Sequence, residues 1–560
     1  MATLKKEHLK IGPATIFGAL LSSMILSCST ADKQKAKTDA IQNIRILHIA
    51  DTHSQLDTHW EYLPEDPEHL HRMGGYARLK TAFDDLRKNF NGPVFSADGG
   101  DTFQGSAISA WTKGEAVIGP LNALNLDVGI PGNWEVVYGP EVLSKLSSEV
   151  NYKYIAYNFE DTNTGKNLYP AYAMVEKEGV RIAFFGITDP TTSQRQPPAE
   201  VKGLDTTHMS GLRELIQKVK NTEKPNLIIL VSHQGLAPSV KLAQEIPEID
   251  ILLSGHTHER TYKQMHVGRT VVVEPGSMGS FIGQLDVKLN NGKMVDSNFT
   301  LVQVDADKYA EDESVKEMIA KSELPFRSKL DKVVGTTQTN LLRYDVLEGT
   351  MDNLIADAVR EATHSDIAFT NGFRFSPPIA VGPITEADLW NALPLDARMK
   401  VGHVTGRQLK EYLENELELV FAKDPYALSG GWGPRPSGMQ LTFKAKASKG
   451  ERLEKVIING KPMNMNHSYS IAGCERDGEH MDIICRLKGV KNARYVNMTV
   501  HDALEKYVKK HSSLHLIKER RAIATDQPDQ IWSQYGMLQK MWNLPGDASA
   551  VAVPVKDLEK

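Results

Sequence analysis

IRILHIADTH, residues 44–53, is an apolar run that stops on an aspartate and, two residues later, a histidine. Bounded by polar residues on both sides, it has the length and β-branched content of a buried strand rather than of a helix. The pattern then repeats. PVFSA (93–97) leads into Asp98-Gly99-Gly100-Asp101, LDVGI (126–130) into Pro131-Gly132-Asn133-Trp134-Glu135, LIILVS (227–232) into His233, and IDILLS (249–254) into Gly255-His256-Thr257-His258. YKYIAYN (152–158), RIAFFGI (181–187) and TVVVEPG (270–276) are further runs, and amphipathic helical segments lie between them, as at 75–90 and 210–222. Short strands alternating with helices predict a layered α/β domain.

In an open α/β sheet the crevice lies beyond the carboxyl ends of the strands. Side chains placed there converge, and here they are Asp51, His53, Asp101, Asn133, His233, His256 and His258. Each fragment alone is an ordinary turn or surface motif. Their common position at strand ends, beside glycines that let backbone approach closely, reads jointly as a set of metal ligands. Seven donors with one shared carboxylate suit two divalent ions. Imidazoles and an amide oxygen favour manganese, with zinc or iron as alternatives, over magnesium or calcium. Such a pair holds a water as a bridging hydroxide, lowering its pKa toward about 7 while clamping an anion. The predicted chemistry is hydrolysis of a phosphorus or sulfur oxyanion group.

At 560 residues the chain exceeds one core, so two or three units are expected. A net charge of -5 gives no reason to expect a nucleic-acid polymer as partner. Lys5, Lys6 and Lys10 precede the apolar run from Ile16 to Leu26, the layout of an export signal and too short for a comfortable bilayer span. It ends in ILSC (25–28), which resembles the lipobox of bacterial lipoproteins and implies that Cys28 carries a lipid anchor. The expected location is therefore periplasmic or cell-surface. Residues 1–28 read as the signal, 29–42 as a polar tether, 43–305 as the first α/β domain, 306–332 as a charged linker helix, 333–525 as a second α/β domain and 526–560 as a tail. Cys474 and Cys485, in an oxidising compartment, are free to pair or to stay apart, and the sequence leaves both open.

In their order, D-T-H, G-G-D, G-N-W-E, V-S-H-Q-G and G-H-T-H resemble the motifs of calcineurin-type metallophosphoesterases, and the two-domain layout resembles the 5'-nucleotidase superfamily. The resemblance implies an N-terminal metal domain and a C-terminal substrate domain. It places one ion on Asp51, His53, Asp101 and His258, and the other on Asp101, Asn133, His233 and His256, with Asp101 bridging. EGTMDNLIADAV (348–359) is similar to the superfamily's E-x-x-x-x-N-L-x-x-D-A helix. TNGFR (370–374) is similar to its glycine-rich loop, which implies that Asn371 and Arg374 meet the substrate anion. The family's two base-clamping aromatic rings have no counterpart in NALPLDAR (391–398) or AGCERDGEHMD (472–482), where His480 is the candidate substrate contact.

Trp134 stands where the phosphoesterases carry a histidine acid. An indole donates one N–H and shuttles no proton, and loss of a general acid costs about 10²–10⁴ in rate. Asp101, Asn133 and Trp134 are accordingly the expected catalytic residues, with Trp134 shaping a wall for a leaving group that needs no protonation. Trp134-Glu135, Gly372-Phe373-Arg374 and DPYALSGGWG (424–433) resemble the thiosulfohydrolases of the sulfur-oxidation pathway. That branch implies a dimanganese site removing sulfate from a cysteine S-sulfonate on a carrier protein, although Asn133 stands where it tends to place histidine. Hydrolysis of a nucleotide or other phosphomonoester is the alternative. A metal-binding surface protein whose catalysis has decayed is the third reading.

Overall fold

Strand Ile41–Ile49 (β1) lies inside a six-stranded sheet, parallel to Val94–Asp98 (β2) on one side and antiparallel to Phe281–Asn290 on the other. Val128–Gly129 (β3) and Lys153–Tyr154 extend the sheet beyond β2. A second six-stranded sheet holds Leu227–Ser232 (β4) and Ile251–Ser254 (β5) as parallel neighbours at its centre. This description comes from a computed structural model and covers residues 41–370, 376–429 and 433–552. Cys28, Asn371, Gly372, Phe373, Arg374, Gly430 and Gly431 lie outside the described residues.

β1 to β5 are buried on both faces over most of their length, which is why these runs are continuously apolar instead of alternating with polar residues. On β1, Ile44 and Ile46 point between the sheets toward Phe95, Ile229, Val231, Ile251 and Leu253. Leu47 and Ile49 point outward onto Tyr76, Leu79 and Phe83 of the helix Tyr76–Lys88. The period of two along the strand thus separates two cores.

YKYIAYN forms less strand than its composition predicts. Only Lys153 and Tyr154 join the ladder; Ile155 and Ala156 stay buried but donate to the carbonyls of Gly129 and Pro170 at 2.9 Å each. A short hairpin, His59–Tyr62 with Leu70–Met73, occupies what reads as a polar loop. In the linker, Glu313–Glu323 is helical and starts on the Asp312 side chain, which caps Val315 N–H. The next turns, Leu324–Phe326 and Arg327–Leu330, are separate short helices because Pro325 has no N–H to continue the first.

The second α/β domain is built on a five-stranded sheet in the spatial order Arg435–Ser437, Ile367–Thr370, Ser468–Cys474, Arg398–Thr405, Lys491–Thr499. Helices Thr350–Thr363 and Val500–His511 cover one face, and Gly406–Phe421 the other. Inside EGTMDNLIADAV, Glu348 accepts from Asn353 Nδ2 at 2.7 Å and from the backbone N–H groups of Glu519 and Arg521. That part of the motif anchors a helix start to a distant strand.

Beyond residue 526 the described residues form an α-helix, Gln534–Trp542 (α1), and a 3-10 turn, Ala548–Val551. Tyr535, Leu538 and Trp542 of α1 enter a continuous apolar cluster that runs from Leu236 and Val240 in the first domain to Val420 and Phe443 in the second. Among the described residues no helix is long and apolar enough to cross a membrane.

Candidate metal centre and the cavity beside it

Register brings the ligand loops to one level. Ile49 lies opposite Asp98, Asp98 opposite Gly129, and Ser232 opposite Ser254, so β1 to β3 end level in one sheet and β4 and β5 in the other. There the structure gathers two groups of side chains that could each hold a metal ion: Asp51, His53 and His258, and Asp101, His233 and His256, each with its ligand atoms within 4.8 Å of one another. His53 Nε2 and His258 Nε2 are 3.0 Å apart, and His233 Nε2 is 3.1 Å from Asp101 Oδ2. The groups touch, since His53 Nε2 also lies 3.9 Å from Asp101 Oδ2 and His233 Nε2 3.8 Å from Asp51 Oδ1.

The backbone is bent to make this possible. Asp51, His53, Asp101, His256 and His258 all have φ between 49° and 85°, a region uncommon for residues with a side chain and concentrated at functional sites. At Gly132 a Cβ would lie 2.2 Å from Asp101 Oδ1. The bridging candidate therefore occupies the space of a side chain that is not there, and Trp134 N–H donates to the same oxygen at 2.8 Å.

A surrounding shell orients the donors. His53 Nδ1 lies 2.9 Å from Gln104 O and His233 Nδ1 2.7 Å from Gly99 O. Each ring spends its Nδ1–H on a carbonyl and turns Nε2 inward, the arrangement typical of metal-binding histidines. Asp51 accepts from His256 N–H through both oxygens. Gln196 Nε2 donates to Asn133 O at 2.7 Å, fixing the backbone of a residue whose own buried Oδ1 has no hydrogen-bond partner.

Two carboxylates that the sequence reading left out complete this shell. Glu135 accepts from the backbone N–H groups of Asp101, Thr102, Phe103 and Gly132, so it binds the G-G-D loop to the G-N-W-E loop. Asp98 accepts from Tyr152 OH at 2.9 Å, from Thr102 Oγ1 and from Gly100 N–H. Their signal in the sequence is their adjacency to the ligands, Glu135 two residues after Asn133 and Asp98 three before Asp101.

Electrostatics separates the group without any ion present. Burial lowers His53 to about 4 and His258 to about 3, so both are neutral near pH 7, the state a ligand needs. At Asp101 burial is outweighed by His233, His53 and His256, which hold the carboxyl well below the usual range. Burial likewise opposes the charge on His233, but Asp101 and Asp51 prevail and push it up to about 10. Asp51 is raised to about 7, by burial first. A dense buried set of this kind competes for protons until cations replace them. The orphaned Asn133 oxygen, the inward Nε2 atoms and the ionised Asp101 fit two borderline divalent ions.

Next to the centre lies a cavity of about 560 Å³ between the domains. Asn133, Trp134 and His256 line it beside the ligand cluster, Ile355, Val359 and Phe369 supply an apolar wall, and Arg398, Arg476 and Arg486 also line it, each ion-paired to a glutamate. NALPLDAR and the segment beginning AGCERD both line it, through Leu393, Leu395, Asp396, Cys474 and Asp477. Neither contributes a ring. His480 corrects an expectation: its side chain is 83% exposed, bonded to Asp482 at 2.7 Å, and does not line the cavity. The loop that carries it turns outward after Asp477, whose carbonyl accepts from Ala199 N–H. Among the histidines that follow the first ligand pair in sequence, His69 and His71 share Asp66, and His59 bonds Ser280.

Residues 44–260 match the calcineurin-like phosphoesterase family, and residues 333–475 match the 5'-nucleotidase C-terminal domain. The chain is a two-domain calcineurin-like metallophosphoesterase. As such it is a metal-dependent hydrolase. Among relatives of this metallophosphoesterase, a 5'-nucleotidase of Vibrio vulnificus is 24% identical over 566 residues, covering 90% of this chain and 97% of its own. The sulfate thiohydrolase SoxB of Thermus thermophilus shares its fold with a TM-score of 0.80 at 23% identity, over 88% of this chain and 98% of that one. A 5'-nucleotidase precursor, also from Thermus thermophilus, gives 0.77 at 20% identity, over 87% and 100%.

Proposed function

We propose that this metallophosphoesterase is an exported dimetal hydrolase that removes sulfate from a cysteine S-sulfonate. Asp51, His53, Asp101 and His258 hold one ion, and Asp101, Asn133, His233 and His256 the other. When bound, the ions supply Lewis-acid charge for the substrate oxyanion and an activated water. Manganese is the first choice on donor type. Arg374 and Asn371 receive the anion from the side of the second domain, as the motif they match implies.

The observation that carries the substrate reading is Trp134. It lines the cavity beside Asn133 and His256, in the position of the family's acid, with its backbone pinned to Asp101. Indole gives no proton to a departing alkoxide, whereas a thiolate or persulfide departs without one. The apolar wall of Ile355, Val359 and Phe369, with no paired rings among the described residues, favours such a sulfur group over a nucleobase. A carrier protein presenting the S-sulfonate, a lipid anchor at Cys28 and a periplasmic or cell-surface location belong to the same proposal, as does the division of the chain at 43–305 and 333–525.

A second reading, phosphomonoester hydrolysis, is favoured by the 5'-nucleotidase domain match and by the names of the relatives. One assay separates the readings. Purified protein with Mn²⁺ is offered a nucleoside 5'-monophosphate and an S-sulfonated thiol. Sulfate release without phosphate release is expected; phosphate release alone establishes the second reading. Turnover of neither, with two ions bound, leaves a catalytically decayed binding protein.

A further inference from the structure

A second cavity, of about 430 Å³, opens beside Gln234, the residue that follows His233. From the first domain it is formed by the helix Leu236–Glu245 and by the loops at 189–191 and 209–214; from the second, Tyr426 and Leu428 close it at the turn Pro425–Ala427. That turn is fastened to the helix, since Tyr426 OH donates to Glu245 Oε2 at 2.8 Å and Lys241 pairs with Asp424 at 2.7 Å. Among the described residues this cavity shares no lining side chain with the one beside the metal centre.

Met209, Leu212, Pro238, Leu242, Ile246 and Leu428 make the lining largely apolar. Its charges are committed within the wall. Arg213 pairs with Glu248 at 3.0 Å, Glu245 accepts from Tyr426, and Asp189 accepts from the N–H and the hydroxyl of Thr191 at 2.9 Å each. With Glu214 also present, three carboxylates line the space against one guanidinium that is already neutralised, so an anion is disfavoured and the oxyanion substrate has no place here. One polar group is left over. Gln234 is 8% exposed, and its Nε2 has no hydrogen-bond partner among the described residues. A buried donor left unmade is costly, and a methionine would fill the same length without that cost. The amide therefore suits an acceptor that the chain itself does not supply.

We propose that this cavity is a second ligand site, for an uncharged small molecule with an apolar body and one carbonyl-type acceptor that Gln234 Nε2 meets. Its volume lies within the range of small-molecule sites, about 300–1,000 Å³. An occupant touches both domains at once. Through Gln234 it also reaches the start of the helix Leu236–Glu245, whose Leu236 N–H is held by Thr257 Oγ1 at 3.1 Å, between the candidate ligands His256 and His258. Binding to the docked form alone stabilises it. The site is independent of which oxyanion is hydrolysed.

The test titrates the folded, metal-loaded protein with prodan, an uncharged fluorescent naphthyl ketone. One molecule per chain is expected to bind, with its emission shifted to the blue, and to raise the melting temperature. Leu428→Trp, which fills the cavity from the second domain, is expected to abolish saturable binding, whereas Ile355→Trp, in the wall of the cavity beside the metal centre, leaves it unchanged. Gln234→Met keeps the length and removes the donor. It is expected to weaken binding about tenfold and, having lost an unpaired amide, to melt no lower than the native chain when free of dye. Absence of saturable binding to the native chain, or native affinity in both Leu428→Trp and Gln234→Met, overturns the site. Loss in Ile355→Trp with retention in Leu428→Trp puts the dye in the substrate cavity and overturns it too. A lower melting point for Gln234→Met with unchanged affinity assigns the amide to the fold alone, against the proposal. Fluorescence counts bound dye and not turnover, so it fails or succeeds separately from the hydrolase reading.

Discussion

Trp134 joins the ligand cluster and the cavity within one residue: its N–H is held by Asp101 and its ring is a wall. Replacing the ring by an imidazole restores a proton donor without touching a ligand. Trp134→His is therefore expected to raise turnover of a nucleoside 5'-monophosphate by about 10²-fold, the lower end of what a general acid contributes. Equal phosphatase rates in the two proteins would mean that protonation is not what the site lacks. Glu135 makes a different prediction. It gathers four backbone N–H groups from two ligand loops, and Glu135→Gln points an amide donor at donors. The expected cost is about 1–3 kcal/mol of stability, with fewer than two ions per chain by metal analysis; full occupancy at unchanged melting temperature would contradict it. Six of the seven candidate ligands fall in the two gathered groups, and they were legible because imidazole and carboxylate at successive strand ends have few other uses. Glu135 and Asp98 were not, since a carboxylate buried on backbone N–H groups is spelled like one in solvent. His480 misled for the converse reason: its segment does line the cavity, but sequence proximity carries no side-chain direction.

At the scale of elements, the strands were readable from apolar runs of the right length, while YKYIAYN shows the limit. Its residues are buried as its composition requires, yet at a sheet edge half of them bond outside the ladder. The tail was unreadable for want of periodicity, and the structure shows that its work is done by a few contacts. Glu259 accepts from Tyr535 N–H at 2.8 Å and from Ser533 Oγ, Trp542 Nε1 donates to Ala422 O at 2.8 Å, and Tyr262 N–H donates to Ala550 O at 2.7 Å. Burial pushes the Glu259 carboxyl up to about 7 from 4.5, against the pull of the Ser533 and Tyr535 donors. The folded state therefore binds this proton more tightly than the unfolded one, and the stabilisation is full below about 4.5 and declines as pH rises toward 7. Amide exchange in α1 is expected to quicken over that interval, and Glu259→Gln to flatten the dependence. A profile identical in the two proteins would remove Glu259 from the account.

For the whole molecule, the two domains meet through more than the tail. Tyr344 OH donates to His258 O at 2.9 Å, Ala107 N–H to Asn391 Oδ1 at 2.8 Å, and Lys241 pairs with Asp424 at 2.7 Å while lying over the Tyr426 ring. Because Tyr344 braces a candidate ligand from the opposite domain, occupancy of the centre and docking of the domains are linked. Chelation is thus expected to lower the melting temperature by several degrees in one cooperative step, and two equivalents of Mn²⁺ per chain to restore it. Recovery with one equivalent, or separate melting of two halves in the chelated protein, would show that the linkage is absent.

Glu259, next to His258, takes its partners from Ser533 and Tyr535, which are made more than 270 residues later. Polypeptides are assembled from the amino end, so an incomplete chain has this loop without its brace however well the first domain has folded. The candidate centre is thereby expected to hold its ions more weakly in fragments from interrupted synthesis than in finished molecules.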